Sequence, residues 1–113
     1  MKTLLLIAAW IPAVALAAPP RCESWPINMG LVHLKNAGMT DPTKLDESKT
    51  KAKAKLIASE KVGKDLYRQI YDITYRERTG NTIEIITSSE ASSEECSMSG
   101  VDVYVVSRKI IGQ

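Results

Sequence analysis

Apolar residues follow two different spacings along the chain, first a helical one and then an alternating one. Ile27, Leu31 and Leu34 recur at helical spacing, and a glycine at position 38 ends that pattern. The sequence therefore predicts a helix from about Trp25 to Ala37. A loop is expected over Met39–Glu47, where an Asp-Pro pair interrupts regular structure.

Alternation of branched or aromatic residues with polar ones becomes common after the middle of the chain and predicts β-strands. The three clearest segments are Leu66–Arg78, Thr82–Ser88 and Val101–Ser107, in the last of which Val101, Val103 and Val105 are expected on one face. The turn Thr79-Gly80-Asn81 is typical of a hairpin between the first two. A loop rich in serine and glutamate, Ser88–Gly100, is expected before the last strand.

A lysine-rich segment before these strands fits two structures. Its lysines alternate with smaller or apolar residues, which is typical of a strand, yet lysine and alanine also favour helices. A strand is favoured because Val62–Asp65 resembles a turn that leads into the next strand. The alternating lysines are Lys49, Lys51, Lys53 and Lys55. Together the elements predict a single small α+β domain, residues 18–113, with an amino-terminal helix packed on a four-stranded antiparallel meander.

The first residues have the features of a secretory signal peptide. Lys2 precedes an apolar run, Leu4–Leu16, which is too short to span a bilayer, and a small-residue motif ends at Ala17. We expect residues 1–17 to be the signal peptide, with cleavage near Ala17 or Ala18. The mature chain is accordingly expected to be periplasmic or secreted, from a bacterial source, and without a transmembrane segment.

Two cysteines, Cys22 and Cys96, remain after the predicted cleavage. Because thiols pair in oxidising compartments, one disulfide is expected. Closing a separation of 74 residues would stabilise the fold by roughly 4 kcal/mol in the chain-entropy description. The alternative of a reactive cysteine is less favoured, since no C-x-x-C motif or neighbouring histidine would lower a thiol pKa.

Charge is balanced overall but unevenly distributed. Without Lys2, 14 basic residues face 13 acidic ones, which is a poor match for nucleic-acid binding. Seven lysines lie in Lys44–Lys64, whereas Glu84–Asp102 holds five acidic residues and no basic one. This polarity is either a solvated surface or a patch that steers association with a charged partner.

Catalytic and metal-binding patterns are weak in this sequence. His33, the single histidine, is expected at the solvent boundary of the helix, and the S-x-x-K match at Ser48–Lys51 lacks the other elements of that chemistry. The acidic residues lack the alternating oxygen ligands of a calcium loop. We therefore expect no catalytic residues, no metal and no cofactor. The acidic residues concerned are Glu90, Glu94, Glu95 and Asp102.

Three tyrosines, Tyr67, Tyr71 and Tyr75, recur every four residues and should share one face of their strand. They either fill a core that lacks phenylalanine or form an exposed stripe that contacts a partner.

Three segments resemble a group of short, exported, uncharacterised proteobacterial proteins: Cys22–Met29, Lys64–Gln69 and Ala91–Val103. The resemblance spans most of the mature chain and implies export and a shared domain. It carries over no activity and no functional residue.

These observations support two hypotheses of function. In the first, the chain is a non-enzymatic periplasmic inhibitor or immunity protein that binds a toxin or an envelope hydrolase. Its expected contact residues are Glu90, Glu94, Glu95, Tyr67, Tyr71 and Tyr75. In the second, it is an envelope-associated module that binds an anionic cell-wall or lipid ligand through Lys49, Lys51, Lys53 and Lys55.

Overall fold

One helix packs on a four-stranded antiparallel sheet. The computed structural model describes residues 19–46 and 52–111. Within them the elements are helix α1 (Ser24–Asn36), a single 3-10 turn (Pro42–Lys44), and strands β1 (Ala52–Gly63), β2 (Leu66–Arg76), β3 (Thr82–Ala91) and β4 (Asp102–Lys109). The strands lie in the order β1-β2-β3-β4, each antiparallel to the next. The predicted α+β class and the meander are confirmed.

Helix α1 is the first element described, but it begins at Ser24 and not at the amino terminus of the chain. Its predicted amino-terminal position depends on removal of residues 1–17, and this proposed signal peptide lies outside the described residues. Lys49, Lys51 and the Ser48 motif lie outside them as well.

From residue 52 onward the lysine-rich segment is a strand and not a helix, as favoured from the sequence. This strand, β1, pairs with β2 over nearly its whole length. Strand β3 extends three residues beyond the predicted end at Ser88. It does so because Ser89 and Ala91 continue the alternation of buried positions along the strand. The serine–glutamate loop is correspondingly shorter than expected.

The two faces of the sheet have different environments. The face that α1 covers, here called the helix face, holds the core, in which Ile73 and Ile85 are fully buried. The opposite face is here called the open face, and its residues on β2 and β3 are half-buried or exposed. Residues directly paired across the strands share a face, so the register assigns each side chain to one of the two.

Helix α1 approaches the sheet closely at Gly30. A β-carbon at this position would lie 2.5 Å from Oη of Tyr75 and 2.7 Å from Cδ1 of Ile85. The Tyr75 hydroxyl donates a hydrogen bond of 2.6 Å to the Ile27 carbonyl of the same helix. A glycine is thus required where the tyrosine joins helix and sheet.

The tyrosine stripe belongs mainly to the core. Tyr71 and Tyr75 are buried, and burial raises the pKa of both hydroxyls, whereas Tyr67 is half-buried. The expectation that Tyr71 and Tyr75 contact a partner is therefore corrected, because the helix and the segment before it cover their rings. The Cys22 amide, for instance, donates a 3.1 Å hydrogen bond to the Tyr71 hydroxyl.

Helix α1 is too short to cross a membrane, and no other helix in the described part of the chain could do so.

Candidate functional site

A disulfide joins the segment before α1 to the connection between β3 and β4. Cys22 and Cys96 are bonded, with their Cα atoms 5.4 Å apart, as the sequence predicts. The bond holds the exposed connection against the covered side of the domain. This connection, residues 92–100, is here called the contact loop.

Side-chain hydrogen bonds within the contact loop define its conformation. The Ser92 hydroxyl accepts hydrogen bonds from the amides of Glu94 (3.2 Å) and Glu95 (2.9 Å), and the Ser92 amide donates to the Glu95 carbonyl (2.7 Å). The Glu95 carboxylate in turn accepts from the Ser97 amide (3.1 Å) and hydroxyl (2.8 Å). The two bonds from Ser97 hold the pKa of Glu95 below its usual value, and the bond from the amide has the larger effect. The loop thus has a specific shape of its own.

The turn between β1 and β2 holds the contact loop from one side. The Asp65 carboxylate accepts hydrogen bonds from the Ser93 amide (3.1 Å) and the Ser93 hydroxyl (2.7 Å). These two bonds lower the pKa of Asp65, and the bond from the Ser93 hydroxyl has the larger effect. Asp65 has a φ of +48°, a left-handed conformation that aspartate tolerates better than most residues. A strained turn residue therefore anchors the loop.

Helix α1 and strand β3 hold the other end of the contact loop. The indole Nε1 of Trp25 donates a 3.2 Å hydrogen bond to the Ser99 carbonyl. The Glu90 amide donates to the Ser99 hydroxyl at 2.8 Å, and the Met98 amide donates to the Glu90 carbonyl at 3.1 Å. The contact loop is thus fixed at four places: the disulfide at Cys96, the bonds from Ser93 to Asp65, the bond from Trp25 to Ser99, and the bonds between Glu90 and the residues Met98 and Ser99.

Two side chains of the contact loop, those of Glu94 and Met98, are exposed to solvent. Glu94 is exposed, and its carboxylate makes no hydrogen bond or ion pair with the described residues. Met98 is 49% exposed although it is apolar. An unpaired carboxylate and an exposed thioether on a fixed backbone are groups that a protein partner can cover.

The predicted acidic contact residues fall into different environments. Glu94 is the free one, Glu95 is engaged within the contact loop, and Glu90 lies on the open face, 3.5 Å from Nη2 of Arg68. Arg68, Glu90 and Asp102 also line a polar groove of about 320 Å³ beside the loop. Sequence reasoning could place these residues near one another but could not distinguish their partners, since the pairing depends on register.

The lysines that the structure describes, Lys53 and Lys55, are exposed on the open face. Lys55 is paired across the strands with Asp72, so the lysines do not stand over a uniformly basic surface. Among the strand residues that the structure describes, the register places five basic and five acidic side chains on the open face: Lys53, Lys55, Arg68, Arg76 and Lys109 against Glu60, Asp72, Glu84, Glu90 and Asp102.

Two carboxyl groups meet at the centre of the open face. A hydrogen bond with Asp72 and, next, the repulsion between the two groups raise the pKa of Glu84. Oδ1 of Asp72 is buried and has no hydrogen-bond partner. Sequence reasoning missed this pair because its members are 12 residues apart and become neighbours only through the β2–β3 register.

The described residues bring together no group of three or more histidine, cysteine, aspartate or glutamate side chains that could hold a metal ion. His33 lies on the exposed side of α1, as predicted.

In comparisons with known proteins, the chain matches no protein-family model, no curated protein and no solved structure.

Proposed function

We propose that the chain is an exported, non-enzymatic protein-binding domain, specifically a periplasmic inhibitor or immunity protein against a toxin or an envelope hydrolase. The observation that carries this function is the contact loop, which is fixed at four places and presents Glu94 and Met98 to solvent. The disulfide fits an oxidising compartment such as the periplasm.

Fixing a loop in advance favours tight binding. Ordering of side chains and loops at an interface costs about 0.5–1.5 kcal/mol for each immobilised flexible side chain. In the contact loop, the serine hydroxyls and the Glu95 carboxylate already hold the backbone in one shape. The backbone of this surface is therefore already ordered by folding, and binding requires little further loss of conformational entropy.

The exposed groups of the contact loop define the chemistry of its partner. Glu94 requires a basic group, and Met98 requires an apolar surface close to it. A basic cleft with an apolar wall, as in an enzyme that acts on anionic polymers, meets both requirements. In this function the loop occupies the cleft and excludes the substrate.

The experiment that tests this function uses the purified chain as bait on an envelope extract of its source. Two loop variants, Glu94→Lys and Met98→Asp, are compared with a control variant, Lys35→Glu, on the exposed side of α1. We expect wild type and the control to retain one partner in stoichiometric amount, and each loop variant to retain at least tenfold less. Added wild-type chain should reduce that partner's activity.

Three results would contradict this function in whole or in part. Recovery of no stoichiometric partner by the wild type would exclude a protein-binding role under these conditions. Equal recovery by the wild type and both loop variants would exclude the contact loop as the binding surface. A partner that is bound but not inhibited would contradict the inhibitor role alone.

A module for an anionic envelope ligand is the second candidate, favoured by the exposure of Lys53 and Lys55 on one face. Sedimentation with anionic vesicles and purified cell-wall polymer, at low and high salt, distinguishes the two functions. Since Asp72 and Glu84 share that face, we expect little retention at either salt concentration. Strong retention at low salt that is lost in Lys53→Gln/Lys55→Gln would favour the module instead.

A further inference from the structure

Strand β4 forms one edge of the sheet and is unusually apolar for an exposed edge. Tyr104 is 60%, Val105 47% and Val106 54% exposed, and Ile110 and Ile111 beyond the strand are exposed too. Only β3 pairs with β4 within the described residues, so the backbone groups on its outer side lack strand partners there. Such an edge is a ready template for pairing with another strand.

The other edge of the sheet, β1, is protected against such pairing. Its exposed apolar residues, Leu56, Ile57 and Val62, lie among exposed charged ones, which include Lys53, Lys55 and Glu60. Its pairing with β2 also shifts register twice, once beside Ile57 and once beside Val62. Charges and irregularities of this kind are among the usual means by which proteins block an edge. Strand β4 has one such irregularity, at Val106, and its charged residues, Asp102, Arg108 and Lys109, lie at its two ends.

An irregularity inside β4 decides which of its side chains share a face. Val105 pairs with Ile85 and Ser107 with Glu84, so Val106 is an extra residue in the ladder. The hydrogen bonds agree, since Ser107 Oγ donates to Glu84 on the open face (3.4 Å) and Arg108 donates to the Met39 carbonyl beyond α1 (3.3 Å). Asp102 and Lys109 consequently lie on the open face together, although an odd number of positions separates them.

We propose that β4 pairs antiparallel with β4 of a second copy of this chain, with Val105 opposite Val106 at the centre. In this register Asp102 of each copy faces Lys109 of the other, and Tyr104 faces Ser107 on the same side. The central valines cover one another. The occupant is a second copy because the strand is complementary to itself in charge and in face.

The pairing joins two sheets into one of eight strands, with both helices on the same side. The two contact loops lie at opposite ends of the interface, since each precedes the start of its own β4. Dimerisation of this kind leaves both loops accessible and goes beyond the proposed protein-binding function, on which it does not depend.

Sedimentation equilibrium on the full chain, purified under oxidising conditions, tests the pairing. The concentration series should extend to about 1 mM, because an interface of one strand pair is small and gives weak association. We expect a monomer–dimer equilibrium in the wild type. Each single charge reversal, Asp102→Lys or Lys109→Glu, should weaken the dimer at least tenfold, and the double variant should restore it. Lys61→Glu, on the β1 edge, is the matched control and should leave the equilibrium unchanged.

A chain that remains monomeric over the whole series would overturn the pairing. So would a dimer that survives both single reversals, or one that Arg108→Glu disrupts while Lys109→Glu does not, since Arg108 lies on the helix face. Circular dichroism of each variant establishes that a lost dimer is not a lost fold, and recovery in the double variant provides the same check independently.

Discussion

The Ser93 hydroxyl lies 2.7 Å from the Asp65 carboxylate, and this hydrogen bond joins two turns that are 28 residues apart in the chain. The same carboxylate accepts the Ser93 amide at 3.1 Å. One side chain of the β1–β2 turn therefore holds both the backbone and the side chain at the start of the contact loop.

Replacing Asp65 by Asn should loosen the contact loop without unfolding the sheet. Asparagine tolerates the left-handed conformation of this turn, but its amide presents one acceptor oxygen where the carboxylate presents two. Hydrogen exchange should quicken at residues 93–97 and stay unchanged at the amides of β2 and β3. Equal loss of protection in the sheet would contradict a local role for Asp65.

The same anchor should depend on pH. Because the folded-state pKa of Asp65 is lowered from 3.8, its stabilising effect is present above that pH and is lost as the pH falls through the folded-state value. Loop protection in the wild type should decline in this acidic window. The Asp65→Asn variant should show no such decline, and a parallel decline in both proteins would assign the effect to another group.

Gly30→Ala should destabilise the fold by about 1–3 kcal/mol, the usual cost of an overpacked contact. The new methyl group would meet Tyr75 at 2.5 Å and Ile85 at 2.7 Å, so helix α1 would have to move away from the sheet. Urea denaturation measures the change in the free energy of unfolding. Gly100→Ala is the control, since nothing lies within 4 Å of its added β-carbon, and it should leave that free energy nearly unchanged.

The pair formed by Asp72 and Glu84 should make the wild type less stable as the pH rises. A group whose pKa is raised by folding contributes stability below its unfolded value, here 4.5, and that contribution is lost as the pH rises through the folded-state value. Asp72→Asn removes the repulsion and should return the pKa of Glu84 toward its ordinary value. Carboxyl NMR titration of Glu84 measures the shift, with Glu60→Gln as a control that should not alter it. An unchanged titration in Asp72→Asn would contradict the coupling.

Removing the disulfide should lower the free energy of unfolding by about 4 kcal/mol. The reason is that the unfolded chain regains the conformational freedom that a link across 74 residues removes. Cys22→Ser/Cys96→Ser should therefore unfold at a much lower urea concentration than the wild type. The wild type measured with a reductant provides the matched comparison and should resemble the variant. A variant as stable as the oxidised wild type would show that the link contributes little.

Much of the fold follows from short-range patterns in the sequence. Alternation along Leu66–Arg76 and Thr82–Ala91 specifies which residues face α1, and the turn around Gly80 specifies their pairing. The pairing of Cys22 with Cys96 required only that two thiols share an oxidising compartment. The strands and their turn depend on residues that are neighbours in the chain. The disulfide depends on thiol oxidation, which occurs whatever the sequence separation of the two cysteines.

The features that define the candidate site depend on contacts that no local pattern encodes. The bond between Asp65 and Ser93, the indole contact of Trp25 with Ser99, and the extra residue at Val106 all arise from how distant segments meet. Val105 shares the helix face with Val103, as the alternation predicts, but it is 47% exposed because β4 is an edge of the sheet. Edge position is a property of the sheet and cannot be read from one strand.

Site-specific photo-crosslinking in intact cells tests most directly whether the contact loop binds a protein. A photoreactive residue is placed at Glu94, and a matched one at Lys35 on the exposed side of α1. The account predicts one adduct of defined mass from position 94, identified as the same protein that the purified chain captures, and no such adduct from position 35. Absence of an adduct from position 94, or equal adducts from both positions, would contradict it.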